Sequence, residues 1–485
     1  MSQLDQLAPL PVWHYFDAIC AIPHPSYHEE ALATYILAFA KKHNLLAQRD
    51  KTGNIFIQKP ATKGMESRQG VVLQAHLDMV PQKNEDTVHD FTQDPIQTYI
   101  DDGWVSAKGT TLGADNGIGL ATCLAVLASS DLPHGPIEAL FTINEEAGMD
   151  GAFGLESGWL QGDILINTDS EQEGEVYVGC AGGIDAEISI ALDHEPCPSN
   201  HSALKLTLKG LKGGHSGCDI HTGRANAIKL LTRFLFDYLD AFEGRVHCIN
   251  GGSLRNAIPR EASTIIVVPT QQIDNISNAF TRFLHLLHEE LGQTETSIAI
   301  DVTSIEQISS VWTIGVHQRL LRTLHACPNG VIRMSDDFPG VVETSLNVGV
   351  INTSDGHVAI LCLIRSLIDS GRLQVESRLK AVAALAGAAI TFGGAYPGWK
   401  PDPNSQIMQL FRSIYDDIYG KKPNIMVIHA GLECGLFKKP YPDMDMISFG
   451  PTIKYPHSPD EKVEIASVAL FWQQMCALLN AIPEK

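Results

Sequence analysis

Three short apolar runs between residues 71 and 169 each end on groups that a buried strand does not hold in its interior. Val71-Val-Leu-Gln-Ala-His76-Leu-Asp78 closes on His-x-Asp, Leu140-Phe-Thr-Ile-Asn-Glu145-Glu146 on paired carboxylates, and Ile164-Leu-Ile-Asn-Thr-Asp169 on one more. Helical patterns alternate with these strands, at 31–42 and in the small-residue stretch 117–129. Strand alternating with helix predicts an α/β domain with a mostly parallel sheet. Ligands bind such sheets at the carboxyl ends of the strands. His76, Asp78, Glu145, Glu146 and Asp169 are therefore expected to converge. Asp115 joins them from Gly113-Ala-Asp115-Asn-Gly-Ile-Gly119, ahead of the second helix.

Taken singly, each feature has an ordinary reading. A His-x-Asp is usually a polar strand end, paired glutamates a solvated surface, Asp115 an N-cap, and Asp169 the start of a turn. Together and in order they point elsewhere. Four carboxylates gathered without a cation are costly to bury, and a pair of divalent metal ions removes that cost. Imidazole with carboxylate suits zinc, manganese or cobalt.

Composition removes other classes. Lys plus Arg number 35 against 56 Asp plus Glu, a formal net charge of −21, and such a chain repels nucleic acid and anionic membrane. The longest apolar stretches, 118–128 and 381–396, fall short of the ~20 residues of a membrane span. Ten scattered cysteines with no C-x-x-C pair suit a reducing cytosol. The first twenty residues lack a basic segment and carry Asp5 and Asp17, unlike a secretory signal. The expectation is a cytoplasmic protein with neither nucleic acid nor membrane as partner.

The texture changes at about Ile184. Strand 203–211, helix 226–242, strands 246–253 and 262–269, helix 276–291 and strand 297–302 are followed by a comparable order. That second set is helix 313–325, strands 343–351 and 357–365, helix 374–388 and strand 389–394. This reads as two tandem α+β units, each with helices on one face of an antiparallel sheet. The Pro-rich stretch 395–403 reads as a linker. Near the N-terminus, Ser26-x-x-Glu29 reads as a capping box for helix 31–42.

The order H-x-D, G-A-D-N-G, E-E and D, with a distant C-terminal histidine, resembles the di-zinc metallopeptidases of the aminoacylase and carboxypeptidase G type. Four longer strings narrow the likeness: Gln74-Ala-His-Leu-Asp-Met-Val-Pro-Gln82, Thr111-Leu-Gly-Ala-Asp-Asn-Gly-Ile-Gly119, Lys212-Gly-Gly-His-Ser-Gly217 and His429-Ala-Gly-Leu-Glu-Cys-Gly435. They resemble the bacterial Xaa-His dipeptidases, which are carnosinase-like. The likeness spans nearly the whole chain, with no departure at a ligand position.

The resemblance implies two Zn2+ per chain, for which Mn2+ or Co2+ can substitute. His76 and Asp169 would bind one ion, Glu146 and His457 the other, and Asp115 would bridge them, with a cis peptide at Asp115–Asn116. Asp78 would orient the His76 ring. Glu145 would be the general base for a metal-activated water. His215 would stabilise the oxyanion, and Arg365 would bind the substrate's C-terminal carboxylate. Asn256, Glu433 and Gly435 would complete the substrate site. The implied organisation is a catalytic α/β domain with helices on both faces, residues 1–183 and 396–485. It is interrupted by an α+β lid of two tandem repeats, 184–395, which closes on the substrate. The implied reaction is hydrolysis of small unblocked dipeptides, preferably Xaa-His, and a homodimer is allowed without being required. The alternatives are a broader dipeptidase or tripeptidase, an N-acyl amino acid deacylase, or a non-catalytic binding protein on the same fold.

Overall fold

The computed structural model describes residues 3–306, 308–354 and 356–485. The chain divides into two compact units. The first comprises Met1–Gly179, Pro401–Val427 and Leu432–Lys485, and the second Cys180–Lys400 with Ile428–Gly431. The inserted unit thus begins and ends a few residues outside the range 184–395.

The first unit is built on an eight-stranded sheet. In chain order its strands are β1 (Leu46–Arg49), β2 (Ile55–Lys59), β3 (Val71–His76), β4 (Ile137–Thr142), β5 (Ile164–Asn167), β6 (Glu175–Cys180), β7 (Asn424–Ile428) and β8 (Asp445–Ser448). In space they run β1-β2-β4-β3-β5-β8-β6-β7. The middle four, β4-β3-β5-β8, are parallel, and antiparallel pairings flank them. Every residue of β3, β4 and β5 is buried, which explains their largely apolar sequences.

Helices α1 (Leu10–Cys20), α2 (Glu30–Lys42) and α3 (Ala114–Ala128) belong to this unit. α3 is buried from Ala114 to Leu127 and packs on α1 and β3. Its small residues permit the approach: a Cβ on Gly117 would lie 3.1 Å from the Phe16 ring. The capping box is not formed. α2 starts at Glu30 with no side-chain cap. Ser26 Oγ instead donates to Asp78 Oδ2 (2.8 Å), and Glu29 Oε1 accepts the Asn144 N–H (3.0 Å). Both residues hold the loops around the site rather than the helix end. A separate four-stranded sheet includes the hairpin Ile453–Lys454 and Lys462–Glu464.

The second unit is built on a nine-stranded sheet, antiparallel in every pairing, with two small two-stranded sheets beside it. The two tandem units therefore share a single sheet, joined where Gly251 faces Ile351. They also share a single apolar core, which draws on residues from Ile184 to Ala383. The strand Gly182–Ala191, which precedes both, lies between His357–Ser366 and Ala389–Tyr396. The Pro-rich stretch is not a free linker, because Trp399 is buried and exchanges two backbone hydrogen bonds with Cys180 (2.9 Å each). Among the described residues, no helix is long and apolar enough to cross a membrane.

Candidate metal centre and catalytic groups

The four parallel strands deliver their chemistry from one end. β3 ends on His76, β4 leads into Asn144-Glu145-Glu146, β5 leads into Asp169, and β8 leads to the hairpin loop carrying His457. A polar seam crosses these strand ends. Asn167 Nδ2 donates to Gln74 Oε1 (2.5 Å), and Ser448 Oγ donates to Asn167 Oδ1 (2.5 Å). Gln74 Nε2 and Thr142 Oγ1 donate to Glu433 Oε2 at 2.6 and 2.8 Å. The sequence reading missed this seam. Its signal was a polar residue near the end of each apolar strand.

Asp115 sits at the start of α3, where the helix meets the ends of β3 and β5, and the Asp115–Asn116 peptide is cis. Its two oxygens face different partners. Oδ1 is 3.2 Å from His76 Nε2, which is also 3.2 Å from Asp169 Oδ1. Oδ2 is 3.2 Å from His457 Nε2, which is 3.0 Å from Glu146 Oε1. One carboxylate thus lies between two histidine–carboxylate pairs. Ligand atoms of His76, Asp115 and Glu146 fall within 4.8 Å of one another. His76 is fully buried, the three carboxylates nearly so, and His457 is half-exposed.

Protonation follows from this crowding. Burial works to raise Asp115, but hydrogen bonds from His457 and His76 outweigh it and hold the carboxyl well below its usual range. Burial pushes Asp169 up to about 7 against the opposing pull of His76. It also raises Glu146, and Glu145 well above the ordinary carboxylate range. Burial works to lower His76, yet Asp169 and Asp115 carry it well above its ordinary value. His457 is lifted to about 11 by its bonds to Asp115 and Glu146. Among the described residues, the ion pairs of Asp115, Glu146 and Asp169 are all with histidines. Glu146 Oε1 is buried, with His457 Nε2 3.0 Å away. A donor set of imidazole and buried carboxylate fits divalent cations.

Asp78 is placed differently from the simple orienting role. His76 Nδ1 is 3.0 Å from the Asp78 carbonyl and 3.5 Å from its carboxylate. The carboxylate also accepts the N–H groups of Glu145 (3.0 Å) and Glu146 (3.2 Å). It therefore fixes the turn that presents both glutamates.

The second unit holds its own polar cluster. Arg365 reaches Tyr396 Oη (3.0 Å), His215 Nε2 (3.3 Å) and Ser216 Oγ (3.4 Å). His215 Nδ1 accepts the backbone N–H groups of Cys218 (3.0 Å) and Gly217 (3.3 Å). That fixes the proton on Nε2, so two donors, His215 Nε2–H and the Arg365 guanidinium, converge with no acceptor between them. Burial, then Arg365, holds His215 below its usual value, hence neutral. Asn256 is exposed, and its carbonyl accepts the Ser216 N–H (2.9 Å). Glu433 is not at a surface. It is 1% exposed and pushed up to about 8 by burial, with Oε1 unpartnered. Gly435 is buried in the short helix Glu433–Phe437.

The sequence matches the peptidase family M20/M25/M40 over residues 72–481. The chain belongs to that family. This M20 peptidase is 57% identical to the cytosol non-specific dipeptidase of Escherichia coli (strain K12), over the full length of both chains. It is 64% identical to the aminoacylhistidine dipeptidase of Vibrio alginolyticus, whose crystal structure it matches with a TM-score of 0.95. That match covers 100% of this chain and 99% of the other. An aminopeptidase of Bacillus cereus shares the fold at 15% identity, with a TM-score of 0.57 and 98% and 99% of the two chains covered. This M20 protein is a hydrolase of peptide bonds and a metallopeptidase. The non-catalytic alternative is thereby set aside.

Proposed function

We propose that the chain hydrolyses unblocked dipeptides, with preference for a C-terminal histidine, at a site for two divalent cations, zinc in the first instance. The observation that carries the reading is the Asp115 carboxylate shared between His76 with Asp169 and His457 with Glu146, with Glu145 adjoining. These five residues would hold the cation pair, which when bound would supply an acidified water and an electrophile for the scissile carbonyl. Glu145 accepts the proton as the water oxygen bonds to the carbonyl carbon. It returns that proton to the amine as the C–N bond breaks. Its carboxyl is buried and raised above the ordinary carboxylate range, in the direction that suits a group returning a proton to the leaving amine. Asp78 holds Glu145 and Glu146 by their N–H groups, so the base and its ligating neighbour keep separate aims. The converging donors of His215 and Arg365 suit an oxyanion or the substrate's terminal carboxylate. Asn256, Glu433 and Gly435 are assigned to the substrate site on the resemblance alone.

The name of the Vibrio relative supports the histidine preference, and that of the Escherichia coli relative supports broader specificity and a cytosolic location. A panel of dipeptides with varied C-terminal residue, run with Zn2+, Mn2+ and Co2+, separates the two. A kcat/KM for Xaa-His at least tenfold above other dipeptides is expected. Equal values across the panel would leave the broad dipeptidase.

A further inference from the structure

The first turn of α3 is held by a side chain that lies far away in sequence. Glu461 is 2% exposed. Its Oε2 accepts the N–H groups of Leu112 (2.8 Å) and Gly113 (3.0 Å), and its Oε1 those of Ala114 (2.8 Å) and Asp115 (3.3 Å). Four consecutive backbone donors converge on one carboxylate because Gly113 takes a left-handed conformation, φ 70°. Such a concave run of N–H groups is an anion receptor, here occupied by the chain's own acid. The N-cap residue, Gly113, has no side chain with which to cap the helix itself. Glu461 also sits on the hairpin loop of His457, four residues on. It therefore ties together the loops that carry Asp115 and His457.

Burying one more acid beside several others is electrostatically unfavourable. A neutral acceptor would spare that cost, but a glutamine has only one oxygen. Its amide nitrogen would face two N–H groups, leaving both without an acceptor. Only a carboxylate satisfies all four donors.

We propose that Glu461 is a positioning residue: by clasping the N–H groups of Leu112–Asp115 it fixes the Asp115 carboxylate against His457, and so sets the affinity and geometry of the cation site those two residues share. The inference rests on reading Asp115 and His457 as metal ligands. It concerns what holds them, which neither the family nor the relatives' names address.

The test uses the full chain stripped of metal and titrated with Co2+ at 25 °C, with far-UV circular dichroism to show that each variant is folded. Affinity is read by competition with a chromophoric chelator and geometry by the visible cobalt spectrum. Glu461→Gln should bind cobalt about 10–100-fold more weakly and with an altered spectrum. A purely structural role would leave both unchanged in folded protein, so affinity within twofold of the parent and the same spectrum would overturn the proposal. Asp115→Asn separates the underlying reading. If it too keeps parental affinity and spectrum, the ligand assignment itself fails. If it loses cobalt while Glu461→Gln does not, only the positioning role fails. Should Glu461→Gln not fold, Glu461→Asp, which keeps the charge with a shorter reach, is read by the same criteria. Parental affinity in that variant would also overturn the proposal.

Discussion

Gly119 offers the sharpest test of how tightly α3 is set against the site. It lies near the start of that helix, against Thr168 just beyond β5. A Cβ there would fall 1.9 Å from Asn116 Oδ1, 2.4 Å from Thr168 Oγ1 and 2.8 Å from the Thr168 carbonyl oxygen. The side chains can rotate, but the carbonyl is backbone and must retreat by about 0.6 Å to reach the 3.4 Å at which contact is ordinary. Rotating Asn116 also has a cost, because its Nδ2 donates to Asp169 Oδ1 at 2.6 Å. Overpacking by one methyl typically costs about 1–3 kcal/mol, and a hydrogen bond to a charged group about 1.5–3 kcal/mol. Better helix propensity returns about 1 kcal/mol. Gly119→Ala should therefore lose about 1.5–5 kcal/mol, a drop in Tm on the order of 3–20 °C at about 2–4 °C per kcal/mol. Calorimetry on stripped and metal-loaded protein reads it. The loaded protein should lose more, because Asp169 is released as well and metal binding stabilises the fold less. A variant melting within 1 °C of the parent in both forms would refute the reasoning.

Three further outcomes follow from the site. Glu145→Gln should lower kcat by about 10²–10⁴ while bound metal, measured by elemental analysis, stays at the parental level. Arg365→Lys replaces a planar fork by a point charge, so KM for a free dipeptide should rise about tenfold while that for its C-terminal amide hardly moves. Metal-stripped protein should lose stability as pH rises from 5 to 8. Asp169 at about 7 and Glu433 at about 8 are protonated in the fold but ionised in the unfolded chain. His457, raised to about 11, acts in the same direction above its unfolded value of 6.5. Thermal melts across that range, with and without Zn2+, check the slope, and bound metal should flatten it.

The sequence was informative where one pattern had one physical cause. Buried strands ending on His76, Glu145 and Asp169 each have an ordinary reading alone, but their succession within one α/β pattern made the convergence legible. The small residues of α3 likewise announced close packing. Ser26 and Glu29 misled because a capping box and a pair of long-range anchors use the same residues at the same spacing. β8, Asp445-Met-Ile-Ser448, was missed because its partners come from the first half of the chain, so no neighbouring strand pattern marks it. The fusion of the tandem units into one sheet was hidden for a similar reason. It depends on the pairing of Gly251 with Ile351, a hundred residues away. Glu461 gave no local signal, because its four partners are backbone groups, which every sequence contains.

The place of β8 bears on how the protein is made. It lies between β5 and β6, although its start, Asp445, comes 281 and 270 residues after theirs, Ile164 and Glu175, in order of synthesis. Until the ribosome has delivered Asp445–Ser448, β5 and β6 each present a bare edge, and the loop bearing His457 does not yet exist. A nascent chain that has completed the second unit still carries a gap in the middle of its first sheet. Unpaired edges of that kind invite pairing with other chains. The stretch from Asp445 to His457 thus both closes the sheet and carries a proposed metal ligand, so a chain cut short before it should lose solubility and activity together.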